Sequence, residues 1–231
     1  MLEELKEEVC KANLDLVKHG LVTLTWGNVS GFDAASELMV IKPSGVSYDI
    51  MQPQHMVVVD LNGKVIEGEM NPSSDTATHI LLYQNFKEQG IGGITHTHSF
   101  HATMFAQARV PIPCYGTTHA DHFMGPVPVT RPLTAQEVEE AYEHNTGKVI
   151  LDCFEALNPV EIPGVLVAGH APFAWGKSAS ISVKNAVALE AVARMAIGTR
   201  QINPDAPLLE DYVLDKHYQR KHGPNATYGQ K

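Results

Sequence analysis

The stretch that decides the fold is Gly92-Gly93-Ile94-Thr95-His96-Thr97-His98, in which two glycines precede β-branched residues and two histidines. This composition predicts a short, buried β-strand. Side chains at i and i+2 of a strand project from the same face, so His96 and His98 would point in the same direction. Two imidazoles that converge in this way can bind one metal ion.

A third histidine, His170, follows another buried strand that we predict over residues 165–168. Loops at sheet edges commonly carry functional residues. Asp75, in the first turn of a helix predicted after Pro72, is the best-placed carboxylate. Imidazoles plus a carboxylate are the ligand pattern of catalytic zinc. Spacing alone leaves further histidines open as ligands: His79, His101, His119 and His122.

Outward from this strand, short β-rich runs and helical patterns alternate along the chain. Strands are predicted over residues 22–26, 38–42 and 55–61, with Asn62-Gly63 as a type I′ hairpin turn. Helices are predicted over residues 2–19, after Ser74, and over 99–108, 178–202 and 207–222. A capping box, Thr134-x-x-Glu137, predicts one more helix of roughly ten residues.

The mixture of strands and helices predicts one domain over residues 1–231, since 231 residues lie near the usual size of a single domain. We expect an α/β fold of three layers (α/β/α), with a mixed, mostly antiparallel central sheet and helices on both faces.

Charge and cysteine content restrict the partners and the compartment. The chain has 17 Lys+Arg against 26 Asp+Glu, a formal net charge of −9, which argues against nucleic acid or an anionic membrane as a partner. The sequence has no apolar run of the ~20 residues that a membrane span needs. Three widely spaced cysteines without a C-x-x-C pair are typical of a reducing compartment, so we expect a cytoplasmic protein.

Two turns have features of anion sites. Lys42-Pro43-Ser44-Gly45 follows a predicted strand, and Asn71-Pro72-Ser73-Ser74 precedes a predicted helix. The free N–H groups of a helix N-terminus and serine hydroxyls favour a phosphate. The same residues are also common as helix caps and turns. Gly27-Asn28 adds a third such loop, and the sequence has no phosphate-binding P-loop and no dinucleotide-binding motif.

Six motifs together resemble the bacterial L-ribulose-5-phosphate 4-epimerases of the class II aldolase/adducin superfamily. They are T-W-G-N-V-S (25–30), I-K-P-S-G-V (41–46), P-S-S-D-T (72–76), H-T-H-S (96–99), G-T-T-H-A-D (116–121) and the ending K-H-G…Y-G-Q. The resemblance extends from Leu2 to Gln230. H-x-H marks the superfamily, whereas G-T-T-H-A-D and Y-G-Q indicate the epimerase branch.

The resemblance implies specific site residues. It implies one Zn²⁺ per subunit, or another divalent metal, bound by Asp75, His96, His98 and His170. It implies a substrate and phosphate pocket made by Gly27, Asn28, Ser44, Gly45, Ser73 and Ser74, with Thr117, His217 and Arg220 at nearby polar positions. Asp121 and Tyr228 match the two acid/base residues, which a neighbouring subunit of a homotetramer contributes.

The implied activity is that of an isomerase in pentose catabolism. It would interconvert L-ribulose 5-phosphate and D-xylulose 5-phosphate at C4 by retro-aldol cleavage and aldol re-addition, with the metal as a Lewis acid. A class II aldolase that cleaves a deoxyketose 1-phosphate is the nearest alternative, but its members carry Glu at the position of Asp75. A non-catalytic adducin-like protein would lack the metal set, and a zinc hydrolase of the H-E-x-x-H type would need a motif that is absent here.

Overall fold

A computed structural model describes residues 2–227 of the chain. Their centre is a seven-stranded sheet in the order β4-β3-β2-β1-β5-β7-β6, in which every pair of neighbouring strands is antiparallel. The strands are β1 Asn28–Asp33, β2 Leu38–Ile41, β3 Val57–Asp60, β4 Val65–Glu67, β5 Gly93–His96, β6 Gly164–Leu166 and β7 Pro172–Gly176. The predicted, mostly antiparallel central sheet is therefore confirmed.

Helices cover both faces of this sheet. They are α1 Glu3–Lys18, α2 Thr76–Phe86, α3 Phe100–Ala108, α4 Thr117–Ala120, α5 Ala135–Cys153, α6 Ala179–Ile202 and α7 Asp211–His222. Strand residues alternate between two apolar clusters: Val57 and Val59 pack with α2, whereas Val58 packs with α1 and the start of α6. This alternation, expected from the two-residue period of a strand, confirms the three-layer α/β/α arrangement. Among residues 2–227, no helix is long and apolar enough to cross a membrane.

Three local predictions differ from the structure. Residues 22–26 form a turn instead of a strand, because Leu24 has a φ of 54° and the Trp26 N–H donates to the Thr23 carbonyl at 3.1 Å. The hairpin after β3 exists, but of its two predicted turn residues only Gly63 has a positive φ, and a type I′ turn needs two. The Asp60 carboxylate holds this turn instead, because it accepts from the backbone N–H groups of Asn62 and Lys64 at 2.9 Å each.

The helix that follows the capping box is longer than predicted. The Thr134 hydroxyl accepts from the Glu137 N–H, as the motif predicts, but α5 spans 19 residues with a break in helical geometry at Ala141. The chain becomes helical again after the break, so two helical segments join into one element. The break matters because the residues that follow it face the site described below.

The central strand can lie close to α6 because it begins with glycine. A Cβ added at Gly93 would lie 2.2 Å from the carbonyl carbon and oxygen of Ser178, the residue that caps α6. Both of those atoms belong to the backbone, so a side-chain rotation cannot relieve the overlap. Gly93 therefore fixes how closely β5 approaches the start of α6.

We predict that Gly93→Ala destabilises the fold by roughly 2–3 kcal/mol, the usual cost of overpacking in a well-packed core. Gly198→Ala, in α6 itself, is the matched control, because a Cβ there would meet no atom within 4 Å. Since alanine favours helix, we expect the control to change stability by at most about 1 kcal/mol, in the stabilising direction. Urea unfolding followed by circular dichroism measures both values. Equal stabilities for the two variants would contradict the proposed close approach.

Candidate active site

Three histidines meet at one end of the central sheet. His96 is the last residue of β5, His98 follows two residues later, and His170 lies in the turn between β6 and β7. Their ring centroids are 4.9–5.0 Å apart, and one potential ligand atom from each lies within 4.8 Å of the other two. A single ion can therefore contact all three imidazoles.

Strand pairing produces this convergence. β5 pairs with β7 in a register that sets His96 opposite Phe173, and the two rings stack with centroids 4.2 Å apart. The tight β6–β7 turn passes through Gly169, with a φ of 73°, and presents His170 beside His96. The triad therefore depends on the β5–β7 register and the turn that precedes β7.

Hydrogen bonds and burial prepare the rings as ligands. The His96 Nδ1 lies 3.0 Å from the Pro172 carbonyl, which can only accept, so Nδ1 carries the proton and Nε2 keeps its lone pair. Burial, together with His96 and His98, lowers the pKa of His170 to about 3, and burial also lowers the pKa of His98. Neutral imidazoles are the metal-binding form. This donor set fits zinc, which commonly takes two or three histidines in catalytic sites.

Asp75, the fourth predicted ligand, lies in the wall of the same cavity, outside the cluster of three ligand atoms. Its carboxylate accepts from the Asn28 side-chain amide at 2.6 Å. Burial acts to raise the pKa of Asp75, but His96, His79 and the Asn28 amide outweigh it, and the pKa falls below its usual value. The structure thus brings together three of the four predicted ligands and orients the fourth through Asn28.

The other histidines that the spacing left open have different partners. His79, buried in α2, shares a 2.7 Å hydrogen bond with the Ser30 hydroxyl, and burial lowers its pKa to about 3. His101 contacts the Glu190 carboxylate and His119 donates to the Gly125 carbonyl, each at 2.7 Å, while the His122 ring packs beside Phe123. None of the four belongs to the cluster that could hold a metal among residues 2–227.

The triad opens into a cavity of about 610 Å³. All six residues predicted for the substrate and phosphate pocket line this cavity: Gly27, Asn28, Ser44, Gly45, Ser73 and Ser74. The two predicted anion turns lie side by side, because the Ser44 N–H donates to Asn71 at 2.9 Å and the Ser73 N–H donates to Lys42 at 3.0 Å. The structure therefore places the predicted anion site and the predicted metal site in one cavity.

Lys42 is a lining residue that our sequence assignment did not include. Its side chain is only 2% exposed, and its Nζ donates to the Pro43 carbonyl at 3.1 Å and lies 5.1 Å from the centre of the Tyr48 ring. Burial lowers the pKa of its ammonium group, and it forms no ion pair with any residue from 2 to 227. A buried cation without a carboxylate partner suits an anionic ligand. Its position next to Ser44 in the sequence was the available indication.

Tyr142 and Glu143 also line the cavity and were not predicted. They follow the break at Ala141 in α5, and no sequence motif surrounds them. Their role depends on a local backbone distortion, which hydrophobic periodicity does not reveal.

The predicted acid/base residue Asp121 lies in a different place. Its carboxylate accepts from Arg220 at 3.0 Å and contacts His217 at 3.0 Å and Lys221 at 3.4 Å. Burial acts to raise the pKa of Asp121, but the Arg220 and His217 hydrogen bonds and the Lys221 charge lower it on balance. Thr117 begins the short helix that Asp121 ends, and neither these two residues nor His217 and Arg220 line the cavity of the triad. Tyr228 lies outside the described residues.

The antiparallel sheet and the histidine cluster define a class of protein that sequence comparison identifies. Residues 7–197 match the class II aldolase and adducin N-terminal domain, and the chain belongs to this family. It is 55% identical over 230 residues to the L-ribulose-5-phosphate 4-epimerase UlaF of Salmonella paratyphi A (strain ATCC 9150 / SARB42), with 100% of both chains covered. The protein of the same name from Salmonella typhi is also 55% identical over 230 residues, again with full coverage of both chains. The name of these relatives denotes an epimerase, an enzyme of the isomerase class.

Solved structures agree with this assignment. An L-fuculose 1-phosphate aldolase superimposes with a TM-score of 0.79 at 27% identity, covering 94% of this chain and 95% of its own. The L-fuculose-1-phosphate aldolase from Thermus thermophilus gives a TM-score of 0.67 at 22% identity, with 89% and 98% covered, a likeness of fold alone.

Proposed function

We propose that this chain interconverts L-ribulose 5-phosphate and D-xylulose 5-phosphate by inverting C4, with a divalent metal bound at the histidine triad. The observation that carries this proposal is the single cavity shared by three converging imidazoles and an anion-binding wall with a buried lysine. The full-length identity to proteins named as L-ribulose-5-phosphate 4-epimerases supports the choice of substrate.

His96, His98 and His170 would hold one Zn²⁺, or another divalent metal, in each subunit, with Asp75 as a fourth ligand. A divalent cation at this place supplies Lewis-acid stabilisation of the negative charge that develops on substrate oxygens during carbon–carbon cleavage. Asn28 positions Asp75 through its amide nitrogen. Its Oδ1 is buried without a hydrogen-bond partner among residues 2–227, so it is available to accept from a substrate hydroxyl.

The phosphate would lie against the two paired turns. Ser44 and Ser73 belong to turns that their backbone hydrogen bonds join, and both turns line the cavity beside the start of α2. A helix N-terminus favours an anion, and the Lys42 ammonium adds a full positive charge from within the wall. The burial of Lys42 strengthens its attraction for a phosphate, because less water screens the two charges.

Epimerisation at C4 requires more than simple proton removal, because the C4 hydrogen of a ketopentose phosphate is not acidic. In the proposed reaction the C4 hydroxyl loses its proton as the C3–C4 bond breaks, which gives glycolaldehyde phosphate and an enediolate. The aldehyde rotates, the C3–C4 bond forms again on its other face, and the C4 oxygen regains a proton. Asp121 and Tyr228 would act as the base and the acid in these steps. The depressed pKa of Asp121 keeps it ionised near pH 7.

We propose that Asp121 and Tyr228 reach the site of a neighbouring subunit in a homotetramer. The position of Asp121, outside the cavity of its own chain, supports this arrangement. Large apolar side chains near the cavity and on α3 and α6 are also exposed in the single chain: Trp26 at 50%, Phe100 at 62%, Met104 at 51% and Met195 at 53%. Such a surface is typical of one that another chain covers.

An aldolase is the second function to consider, because an L-fuculose 1-phosphate aldolase shares 27% identity and the fold. The short carboxylate of Asp75, bonded to Asn28, favours the epimerase. An aldolase would release free aldehyde and dihydroxyacetone phosphate, whereas an epimerase retains the fragments until they recombine.

We predict that the purified protein converts L-ribulose 5-phosphate to D-xylulose 5-phosphate, that a chelator abolishes this conversion, and that added zinc restores it. Product analysis by NMR follows both sugars and both cleavage fragments. Accumulation of dihydroxyacetone phosphate from a ketose 1-phosphate, without formation of D-xylulose 5-phosphate, would instead identify an aldolase. A protein that turns over neither sugar would refute an enzymatic role in this chemistry.

We predict that two inactive variants restore activity when they share one tetramer. His96→Asn removes a metal ligand, and Asp121→Asn should lower kcat by roughly 10²–10⁴ because it removes an acid/base group. After dissociation and reassembly of an equal mixture, chance places an intact His96 beside an intact Asp121 of the next chain at roughly one quarter of the sites of a cyclic tetramer. We expect about that fraction of wild-type activity.

The unmixed variants, carried through the same reassembly, are the controls. A mixture that stays as inactive as its components would mean that Asp121 does not act across subunits. This outcome would leave the metal site itself intact.

A further inference from the structure

The break in α5 brings a tyrosine to the histidine triad. Ala141 has φ −166° and ψ 78°, far from helical values, although helix precedes and follows it. The next residue, Tyr142, lies with its hydroxyl oxygen 3.4 Å from the Nδ1 of His170, and the two rings are 6.0 Å apart. A straight helix would present a different face at this position.

Buried polar side chains hold the break in place. The Asn145 amide donates to the Glu137 carbonyl at 2.8 Å, and the Thr146 hydroxyl donates to the Tyr142 carbonyl at 2.9 Å. From α2, the Thr78 hydroxyl donates to the Glu143 carbonyl at 2.5 Å. All three donor side chains are at most 3% exposed. Breaks in helices have identifiable causes, and here side chains occupy carbonyl groups that a regular helix would use.

α2 also restricts the place of the helical segment after the break. A Cβ at Gly147 would lie 2.9 Å from the Leu81 side chain, so α5 packs very close to α2. Asp75 caps the start of α2, and Thr78 lies one turn further along. The same helix thus positions a wall of the cavity and the backbone beside Tyr142.

We propose that Tyr142 is a positioning residue for the metal site, because its hydroxyl accepts a hydrogen bond from His170 Nδ1 and so leaves His170 Nε2 for the metal. This inference rests on the metal site of the proposed function. His96 already shows the same arrangement with a different acceptor, the Pro172 carbonyl at 3.0 Å. Two of the three imidazoles then have a defined tautomer, and both defined tautomers leave Nε2 available.

The chemistry of the phenol suits this role. Burial and the nearby carboxylates of Asp75 and Glu143 raise the pKa of Tyr142, so it remains a neutral hydroxyl near pH 7. A neutral hydroxyl can accept from the imidazole N–H and still donate its own proton elsewhere. The separation of 3.4 Å exceeds the usual 2.7–3.2 Å, and we expect it to shorten when an ion fixes the ring of His170.

The test is the zinc affinity of Tyr142→Phe, which removes the hydroxyl and keeps the ring. Loss of the partner that orients a ligating histidine typically weakens metal binding by 10–100-fold, and the length of this bond places our expectation at roughly tenfold. Zinc is titrated against a competing chelator, and the melting temperature of the metal-free protein is measured in parallel. The visible spectrum of the cobalt-loaded protein gives a second readout, because it reports the geometry of the ligands.

Two further variants make the result specific. Tyr212→Phe is the matched control, since Tyr212 lies on α7 with its side chain 76% exposed, and its zinc affinity should equal that of the wild type. His96→Asn tests the site itself and should lose zinc. If His96→Asn binds zinc as tightly as the wild type, the proposed metal site is wrong.

The proposal is supported if Tyr142→Phe binds zinc about tenfold more weakly, with a changed cobalt spectrum and an unchanged metal-free melting temperature. If His96→Asn loses zinc while Tyr142→Phe matches the wild type, the proposal for Tyr142 fails and the metal site stands. A metal-free Tyr142→Phe that melts several degrees lower would also overturn it, because the hydroxyl would then serve the stability of the fold.

Discussion

The antiparallel pairing of β5 with β7 is the constraint on which the rest of the site depends. It places His96 opposite Phe173 and presents the Pro172 carbonyl to the His96 ring. It also continues into the turn that carries His170. Because side chains alternate along a strand, a shift by one residue would turn His96 to the other face of the sheet and break up the triad. Gly93 permits this pairing beneath α6, so packing and metal chemistry are joined in one strand.

A second constraint is electrostatic. The chain carries a net charge of −9, yet the cavity joins neutral imidazoles, a helix N-terminus and the buried Lys42 without a carboxylate partner among residues 2–227. Interactions at short range and in buried surroundings are screened far less than those between distant surface charges. The local field of the cavity can therefore attract a phosphorylated sugar even though the molecule as a whole is acidic. Bulk charge argues against nucleic acid, whereas local structure selects the ligand.

Much of the architecture follows from sequence patterns, and the rest follows from tertiary contacts. The i, i+2 spacing of His96 and His98 on a glycine-led strand predicted their convergence, and the serine turns predicted the residues of one cavity wall. The pairing of those two turns, the burial of Lys42 and the approach of Tyr142 depend on contacts between distant segments. The break at Ala141 is invisible to periodicity, because the buried Asn145 and Thr78 that hold it look like ordinary polar residues in a sequence.

The central claim is that three histidines from β5 and the β6–β7 turn bind one catalytic metal ion. Crystals of the zinc-loaded protein, with diffraction measured on both sides of the zinc absorption edge, test this claim most directly. We predict one anomalous peak per chain, at about 2.1 Å from one nitrogen of each of His96, His98 and His170. A peak bound by only two of these residues, or a peak at another site with the triad empty, would contradict the account.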